Sequence, residues 1–223
     1  AYEPRFVEVE TDSFGMIPET LEEELKKARH PKFIYVIPDF QNPTGRTWSL
    51  QRRKALVNLA SRYGVLVVED NPYGELRYEG EMLPSVKSLD SEGWVVYLGT
   101  FSKTLCPGMR IGWIAAHRNL LNKLLLVKQG ADLHTSTISQ MQINRYIETE
   151  DYDAHIQKLR RGYLFFIHIS QPTRIRGKSD GRLFFEKKKN LRYNNSVFRQ
   201  HFVTLLYCFY VSTSKLAFCY QLY

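Results

Sequence analysis

The sequence predicts an α/β fold, in which a mostly parallel β-sheet is flanked by helices, over about residues 1–160 of the 223. Short apolar runs rich in β-branched residues recur in this region, and such runs are typical of strands that are covered on both faces. A stretch with helical spacing separates the first two runs, which indicates a strand–helix–strand unit with parallel strands. Polar side chains gather directly after the runs, where open α/β sheets bind their ligands.

The predicted elements follow one another in a regular order. The run FIYVIP (33–38) is the first strand. A helix comes next, because Ser49 suits its first position, apolar residues repeat with helical spacing, and Gly64 suits its end. The further elements are strands at 65–70, 94–99 and 110–116 and helices at 117–129 and 135–149.

The last part of the sequence departs from this pattern. Residues 162–223 carry the whole net charge of +8, with ten Lys or Arg against two Asp or Glu, and they contain 14 Phe or Tyr. Because they show neither helical periodicity nor strand–turn alternation, we expect an irregular, aberrant tail over 161–223 in place of a second domain. The run VTLLYCFYVS (203–212) has the composition of a strand but no evident pairing partner.

Two origins of this tail remain open. It is either an unusual small domain or the product of a shifted reading frame, and we favour the second because A/T-rich codons encode Lys, Asn, Phe, Tyr and Ile. The basic residues of the tail follow no nucleic-acid-binding motif, and residues 1–161 are neutral, with 21 basic and 21 acidic residues. We therefore expect no nucleic-acid partner for this segment.

The composition also indicates the cellular compartment of the protein. No run approaches the roughly 20 apolar residues of a membrane-spanning helix, and residues 1–20, with five acidic residues, do not resemble a signal peptide. Three cysteines are too few for a disulfide framework and fit a reducing cytoplasm. The sequence thus predicts a cytoplasmic protein without a membrane partner.

Side chains that can carry chemistry cluster at the predicted strand ends. Taken singly, each has a structural explanation, since Asp70 can cap a helix, NPTG can form a simple turn and Lys103 can be a solvated charge. Because the carboxyl ends of parallel strands meet at one edge of a sheet, the conjunction favours a binding site. The set consists of Asn42, Asp70, Tyr73, Thr100, Ser102, Lys103 and Arg110.

This set contains the groups that pyridoxal phosphate requires. Its aldehyde needs an amine, which Lys103 supplies to form a Schiff base. Its pyridine nitrogen acts as an electron sink only while it is protonated, and a buried carboxylate such as Asp70 favours the protonated form. No metal site is predicted.

The other five residues suit the remaining polar groups of the same cofactor. The phenolate oxygen of the ring needs hydrogen-bond donors, which Asn42 and Tyr73 provide. The phosphate needs hydroxyls and a planar cation, and these are present as Thr100, Ser102 and Arg110. The sequence therefore predicts one site that holds the phosphate and the aldehyde together.

Three segments resemble a known family. NPTG (42–45), DNPYG (70–74) and TFSKTLCPGMRIGW (100–113), in this order and spacing, are similar to the large cofactor domain of the fold-type I, class I/II aminotransferases. Within this family, the three motif sequences are most similar to the 2-aminoadipate-aminotransferase-like branch, which also supplies the effector domain of MocR-type regulators. The resemblance covers about residues 1–160.

The resemblance implies part of the large domain of the pyridoxal-phosphate-dependent transferase fold. It implies Lys103 as the Schiff-base lysine and general acid/base, Asp70 as the partner of the pyridine nitrogen, and the other five residues as ligands of the ring oxygen and the phosphate. It also implies a homodimer that transfers an amino group between an amino acid and a 2-oxo acid. A cis peptide bond between Asn42 and Pro43 is a further expectation.

Two parts of the family pattern have no match in the sequence. We expect an earlier segment, with a glycine-containing phosphate turn and an aromatic side chain that stacks on the cofactor, to be missing before residue 1. The family's substrate-binding arginine belongs to a small domain that residues 161–223 do not resemble, so we assign that role to no arginine. Three functions remain open: an aminotransferase, the effector-binding domain of a MocR-type transcription regulator, and a non-functional gene fragment.

Overall fold

The centre of the fold is a six-stranded sheet in the order β3–β4–β5–β6–β7–β8, and a two-stranded antiparallel pair, β1–β2, lies near the amino end. A computed structural model of the protein describes residues 5–28, 31–169, 206–212 and 215–221. The strands are β1 (Thr11–Asp12), β2 (Gly15–Met16), β3 (Phe33–Val36), β4 (Leu66–Asp70), β5 (Val95–Thr100), β6 (Gly112–Ala115), β7 (Leu206–Ser212) and β8 (Lys215–Gln221).

The first three strands of the large sheet are parallel. β3 pairs in parallel with β4, where Ile34 lies opposite Val67, and β4 pairs in parallel with β5, where Val67 lies opposite Val95. β6 is antiparallel to β5. The predicted α/β class, with a mixed sheet and flanking helices, is confirmed. Since β3, β4 and β5 run in the same direction, their carboxyl ends lie at the same edge.

Local sequence signals set the bounds of the long helix between β3 and β4. The Ser49 hydroxyl accepts a hydrogen bond from the backbone N–H of Arg52 at 3.3 Å, and Gly64 ends the helix with a φ of 61°, a conformation that glycine adopts without steric cost. No helix within the described ranges is long and apolar enough to cross a membrane. The helices are α1 (Pro18–Lys27), α2 (Leu50–Tyr63), α3 (Phe101–Thr104), α4 (Arg118–Ala131), α5 (Thr137–Thr149) and α6 (Tyr152–Ile169).

The two faces of the sheet carry separate parts of the core. Side chains alternate along each strand, so Val67 packs on one face with Leu25 of α1 and Leu56 of α2. On the other face, Val96 packs with Leu121 of α4. Each such buried side chain contributes roughly 1.5–3 kcal/mol to folding, and the two clusters fix the sheet between its flanking helices.

A buried ion pair joins the end of β3 to α2. The guanidinium of Arg53 is fully buried and donates two hydrogen bonds to the Asp39 carboxylate, at 2.7 and 3.0 Å. It also donates to the backbone carbonyls of Pro38 and Trp48, at 3.2 and 3.3 Å. Arg77 donates a further bond to Asp39 at 2.9 Å. No pattern in the sequence indicated this network, because its members come from three separate segments.

Three elements of the structure include residues of the carboxyl-terminal tail. Helix α6 continues through the predicted boundary at residue 161 to Ile169, and residues 206–212 of the run that lacked an evident partner form β7. β7 pairs antiparallel with β8 and touches β6 where Gly112 lies opposite Tyr207. The described residues of the tail therefore include paired strands, and the replacement of the small domain by an aberrant tail over residues 161–223 stays a prediction. The rest of the tail lies outside the described residues.

The buried ion pair generates a prediction about stability. Replacing Arg53 by Met should lower the free energy of unfolding by about 3–5 kcal/mol, because the Asp39 carboxylate would stay buried without its main partner. Arg62 lies on the same helix but is exposed, and it bonds Glu22 at 3.1 Å. Arg62→Met should therefore lower the free energy of unfolding by less than about 1 kcal/mol. Urea unfolding of both variants measures the difference, and equal losses would contradict the role given to Arg53.

Candidate functional site

The predicted site residues follow the ends of the three parallel strands. β4 ends at Asp70 and β5 ends at Thr100, and the NPTG turn follows β3. Parallel pairing of these strands therefore brings the three segments to the same edge of the sheet. This is the edge at which open α/β sheets bind ligands.

Lys103 lies on α3, a short helix that begins directly after β5. The Thr100 hydroxyl caps this helix by accepting a hydrogen bond from the backbone N–H of Ser102 at 3.1 Å. The ammonium of Lys103 lies 5.7 Å from the centre of the Tyr73 ring, within the range of a cation–π contact. A primary amine and a phenol from two different strand ends are thus neighbours.

Arg110 lies beside the same helix. Its guanidinium donates to the Ser102 hydroxyl at 3.4 Å and to the Pro107 carbonyl at 3.0 Å. The backbone N–H of Phe101 donates to the Ile111 carbonyl at 3.1 Å, which ties α3 to the chain just before β6. Arg110 itself has a φ of 55°, a left-handed conformation that costs a non-glycine residue roughly 1–2 kcal/mol. Such strain, next to a cluster of hydroxyls and a guanidinium, is typical of a ligand site.

Asp70 has a partner that the sequence did not reveal. The hydroxyl of Tyr35, on β3, donates a hydrogen bond to Oδ2 of Asp70 at 2.5 Å. Burial raises the pKa of Asp70 above its ordinary value, while the bond from Tyr35 opposes that rise. The pKa of Tyr35 is raised, first by burial and then by the hydrogen bond to the Asp70 carboxylate and its charge.

Asn42 lies in an exposed turn after β3. The Asn42–Pro43 peptide bond is cis, as the family resemblance led us to expect. The Asn42 carbonyl accepts a hydrogen bond from the side-chain amide of Gln41 at 2.8 Å, and the Gln41 backbone N–H donates to the Arg46 carbonyl at 2.9 Å. The turn therefore places Asn42 at the site edge by its own internal bonds.

The loop after β4 is shaped by Asn71, another residue that the sequence analysis missed. Its side-chain oxygen accepts the backbone N–H of Gly74 at 2.8 Å, and its side-chain nitrogen donates to Asp39 at 3.3 Å. A Cβ atom at Gly74 would lie 2.5 Å from the Asn71 side chain, so any larger residue there would displace the Asn71 amide from its hydrogen bonds. The short Asn–Pro–Tyr–Gly turn fixes the position of Tyr73, and an Asx turn of this kind is the signal that could have identified Asn71.

Helix α6 packs against the elements that carry Lys103 and Tyr73. A ring nitrogen of His155 lies 3.0 Å from the Thr104 carbonyl at the end of α3. The Tyr152 hydroxyl donates to the Glu75 carboxylate at 3.0 Å, and Arg160 donates to the Glu75 carbonyl at 2.9 Å. One helix therefore contacts both α3 and the turn that follows Tyr73, and it stabilises their relative positions.

Comparison with known proteins identifies what the chain resembles. Residues 2–165 match the family described as aminotransferase class I and II. Aromatic-amino-acid aminotransferase 1 of Thermococcus litoralis is 50% identical over 166 residues, which are 73% of this chain and 40% of the relative. The HTH-type transcriptional regulator YisV of Bacillus subtilis is 37% identical over 130 residues, which are 58% of this chain and 27% of the regulator.

Solved structures give the same result. The multiple substrate aminotransferase of Thermococcus profundus superposes with a TM-score of 0.70 and 46% identity, over 73% of this chain and 41% of that structure. LysN, an α-aminoadipate aminotransferase of Thermus thermophilus, superposes with a TM-score of 0.68 and 39% identity, over 76% of this chain and 46% of that structure. The crystallised LysN is complexed with N-(5'-phosphopyridoxyl)-L-leucine. This chain thus spans less than half the length of these relatives.

The environment of Asp70 predicts a dependence of stability on pH. Because burial raises its pKa in the folded state, the protonated carboxyl favours folding below the unfolded value of about 3.9. This advantage is lost as the pH rises through the folded pKa. Asp70→Asn should therefore become increasingly more stable than the wild type over that pH range. Urea unfolding of both proteins from about pH 3.5 to pH 7.5 measures the difference, and a difference that does not change with pH would contradict the prediction.

Proposed function

Because the chain belongs to the class I and II aminotransferases, we propose that it is the cofactor-binding part of a pyridoxal-phosphate-dependent aminotransferase. The observation that carries the proposal is the placement of Lys103 beside Tyr73, on the same short helix as Ser102. When bound, pyridoxal phosphate supplies an aldehyde that condenses with amines and a ring that withdraws electrons from the attached carbon. The donor set of this chain fits that cofactor.

Lys103 serves as covalent anchor and proton carrier in this proposal. Its amine would hold the cofactor through the aldehyde, and binding of an amino-acid substrate at that aldehyde would release the amine. The released amine on α3 would be placed to take a proton from the substrate carbon and to give it to the cofactor carbon. Tyr73 restricts where that amine can move, since its ring lies 5.7 Å from the ammonium.

The other side chains hold the charged ends of the cofactor. Asp70 supplies a partly buried carboxylate for the protonated ring nitrogen. Arg110 and Ser102, which contact each other at 3.4 Å, bind the phosphate together with Thr100, since a guanidinium and hydroxyls are strong partners for phosphate oxygens. Asn42 and Tyr73 serve the ring oxygen.

The proposal extends to substrates and assembly. The donor would be an amino acid and the acceptor a 2-oxo acid, as in the relatives named as aminotransferases. We also infer a homodimer in the cytoplasm, without a nucleic-acid or membrane partner for this segment, because the family resemblance and the composition favour it. Residues 161–223 remain, in this proposal, an aberrant tail in place of the small domain.

A second function is favoured by one observation, the match to the regulator YisV over 130 residues. In that case the chain would be the effector-binding domain of a MocR-type regulator and would bind the cofactor without releasing a 2-oxo acid. Mixing the loaded protein with amino acids and assaying 2-oxo acid distinguishes the two functions. Failure to bind the cofactor at all would support a non-functional fragment.

The anchoring role of Lys103 can be tested directly. Incubation of the full chain with pyridoxal phosphate, followed by borohydride reduction, should attach the cofactor covalently to Lys103, because this amine lies among the predicted cofactor ligands. Peptide mass mapping locates the attachment. Lys103→Ala should lose it, whereas Lys87→Ala should keep it, since Lys87 is paired with Asp90 at 2.9 Å outside the site. Attachment spread over other lysines would contradict the assignment.

The phosphate-binding role of Arg110 predicts a selective loss of affinity. Arg110→Gln should weaken the binding of pyridoxal phosphate about 10- to 100-fold, the size expected for a charge-assisted bond, and leave the binding of pyridoxal, which lacks the phosphate, unchanged. Arg118→Gln is the matched control, because Arg118 is exposed at the start of α4. Absorbance titrations measure the six affinities of the wild type and both variants for the two aldehydes. Equal weakening for both aldehydes would rule out a phosphate contact.

A further inference from the structure

We propose that Tyr35 is a positioning residue for Asp70. By donating its hydroxyl hydrogen to Oδ2, it fixes the carboxylate so that Oδ1 stays available at the edge of the sheet for a protonated ring nitrogen. The inference rests on the proposed function, because that function supplies the ring nitrogen. It adds to the site a residue from β3, a strand that otherwise contributes only the turn after it.

The register of the sheet makes this contact possible. Tyr35 lies opposite Val68 in the parallel pair of β3 and β4, and Asp70 lies two residues after Val68. Because side chains alternate between faces, all three point to the same face. The tyrosine hydroxyl reaches diagonally to the carboxylate, and the distance of 2.5 Å is at the short end of the range for hydroxyl donors to a charged oxygen.

Asp70 needs an outside partner to keep one orientation. Rotation of a carboxylate about its last bond is only weakly restricted. The preceding residue, Glu69, is held by the backbone N–H groups of Val86 and Lys87, at 2.9 and 2.7 Å. Within the described part of the chain, the Asp70 carboxylate accepts no hydrogen bond from a backbone N–H. Its orientation is restrained by the hydrogen bond from Tyr35.

The neighbouring strand β5 brings one other ionisable side chain near this carboxylate, Tyr97, whose pKa is raised by burial and by nearby carboxylates that include Asp70. Leu98 of β5 lies opposite Asp70, and Tyr97 lies opposite Glu69 on the other face. Along the described residues of β3 and β5, Tyr35 is therefore the titratable side chain directed at Asp70. Because Tyr35 is 51% exposed, its contact with Asp70 accounts for its position better than packing does.

The test compares two variants that each remove one tyrosine hydroxyl bonded to a carboxylate. Tyr35→Phe removes the bond to Asp70, and the control Tyr63→Phe removes a bond to Glu22 of 2.9 Å near the opposite end of the fold. Carboxyl NMR of the full chain without cofactor follows the titration of Asp70, and absorbance titration gives the affinity for pyridoxal phosphate. Thermal unfolding checks that both variants are folded.

Tyr35→Phe should raise the pKa of Asp70, since the bond that favours the charged form is lost, and weaken the binding of pyridoxal phosphate about tenfold. Tyr63→Phe should change neither. If Tyr35→Phe does not fold, the reciprocal variant decides: Asp70→Asn should lower the pKa of Tyr35, measured by tyrosine NMR.

The outcomes separate this inference from the proposed function. If the wild type does not bind pyridoxal phosphate, the proposed function fails, but the titration of Asp70 still tests the contact. If the wild type binds it and Tyr35→Phe matches the wild type in both affinity and Asp70 titration, the positioning role is overturned. A raised Asp70 pKa together with weaker cofactor binding supports it.

Discussion

The candidate site depends on a buried carboxylate that is not one of its predicted members. Asp39 accepts two hydrogen bonds from Arg53 of α2, one from Arg77 and one from Asn71. Breaking such a buried pair leaves an uncompensated charge, which is strongly unfavourable. The end of β3, the start of α2 and the loop after β4 are therefore held in one arrangement, and two of these three segments also carry site residues.

The hydrogen bonds of Asp39 also influence the position of the Lys103 amine, through Asn71 and Tyr73. Asn71, held by Asp39, accepts the backbone N–H of Gly74 and so shapes the turn that presents Tyr73. The Tyr73 ring lies against the ammonium of Lys103. On the other side, α6 bonds both the end of α3 and the segment at Glu75. The position of the amine is thus set by partly buried hydrogen bonds on two sides, although Lys103 itself is exposed.

The sequence predicted those parts of the molecule that depend on local patterns. The bounds of α2 were readable because Ser49 and Gly64 act within one turn of the chain, and the strand cores were readable from apolar runs. The contact of Tyr35 with Asp70 was not, because it depends on the register between two strands. Helix α6 was missed because it crosses the change in composition near residue 161, where apolar periodicity gives way to aromatic and basic residues.

The two adjacent acids at the end of β4 illustrate how similar environments serve different purposes. Burial raises the pKa of both Glu69 and Asp70. Glu69 faces the core, and its two carboxylate oxygens accept hydrogen bonds from the backbone N–H groups of Val86 and Lys87. Its charge therefore stabilises the loop that contains these two residues. Asp70 lies on the other face and bonds a single side-chain hydroxyl. A carboxylate whose oxygens are fully used by the backbone is structural, whereas one that keeps an oxygen at a sheet edge can meet a ligand. This criterion supports the proposal that Asp70, and not Glu69, is the acid of the site.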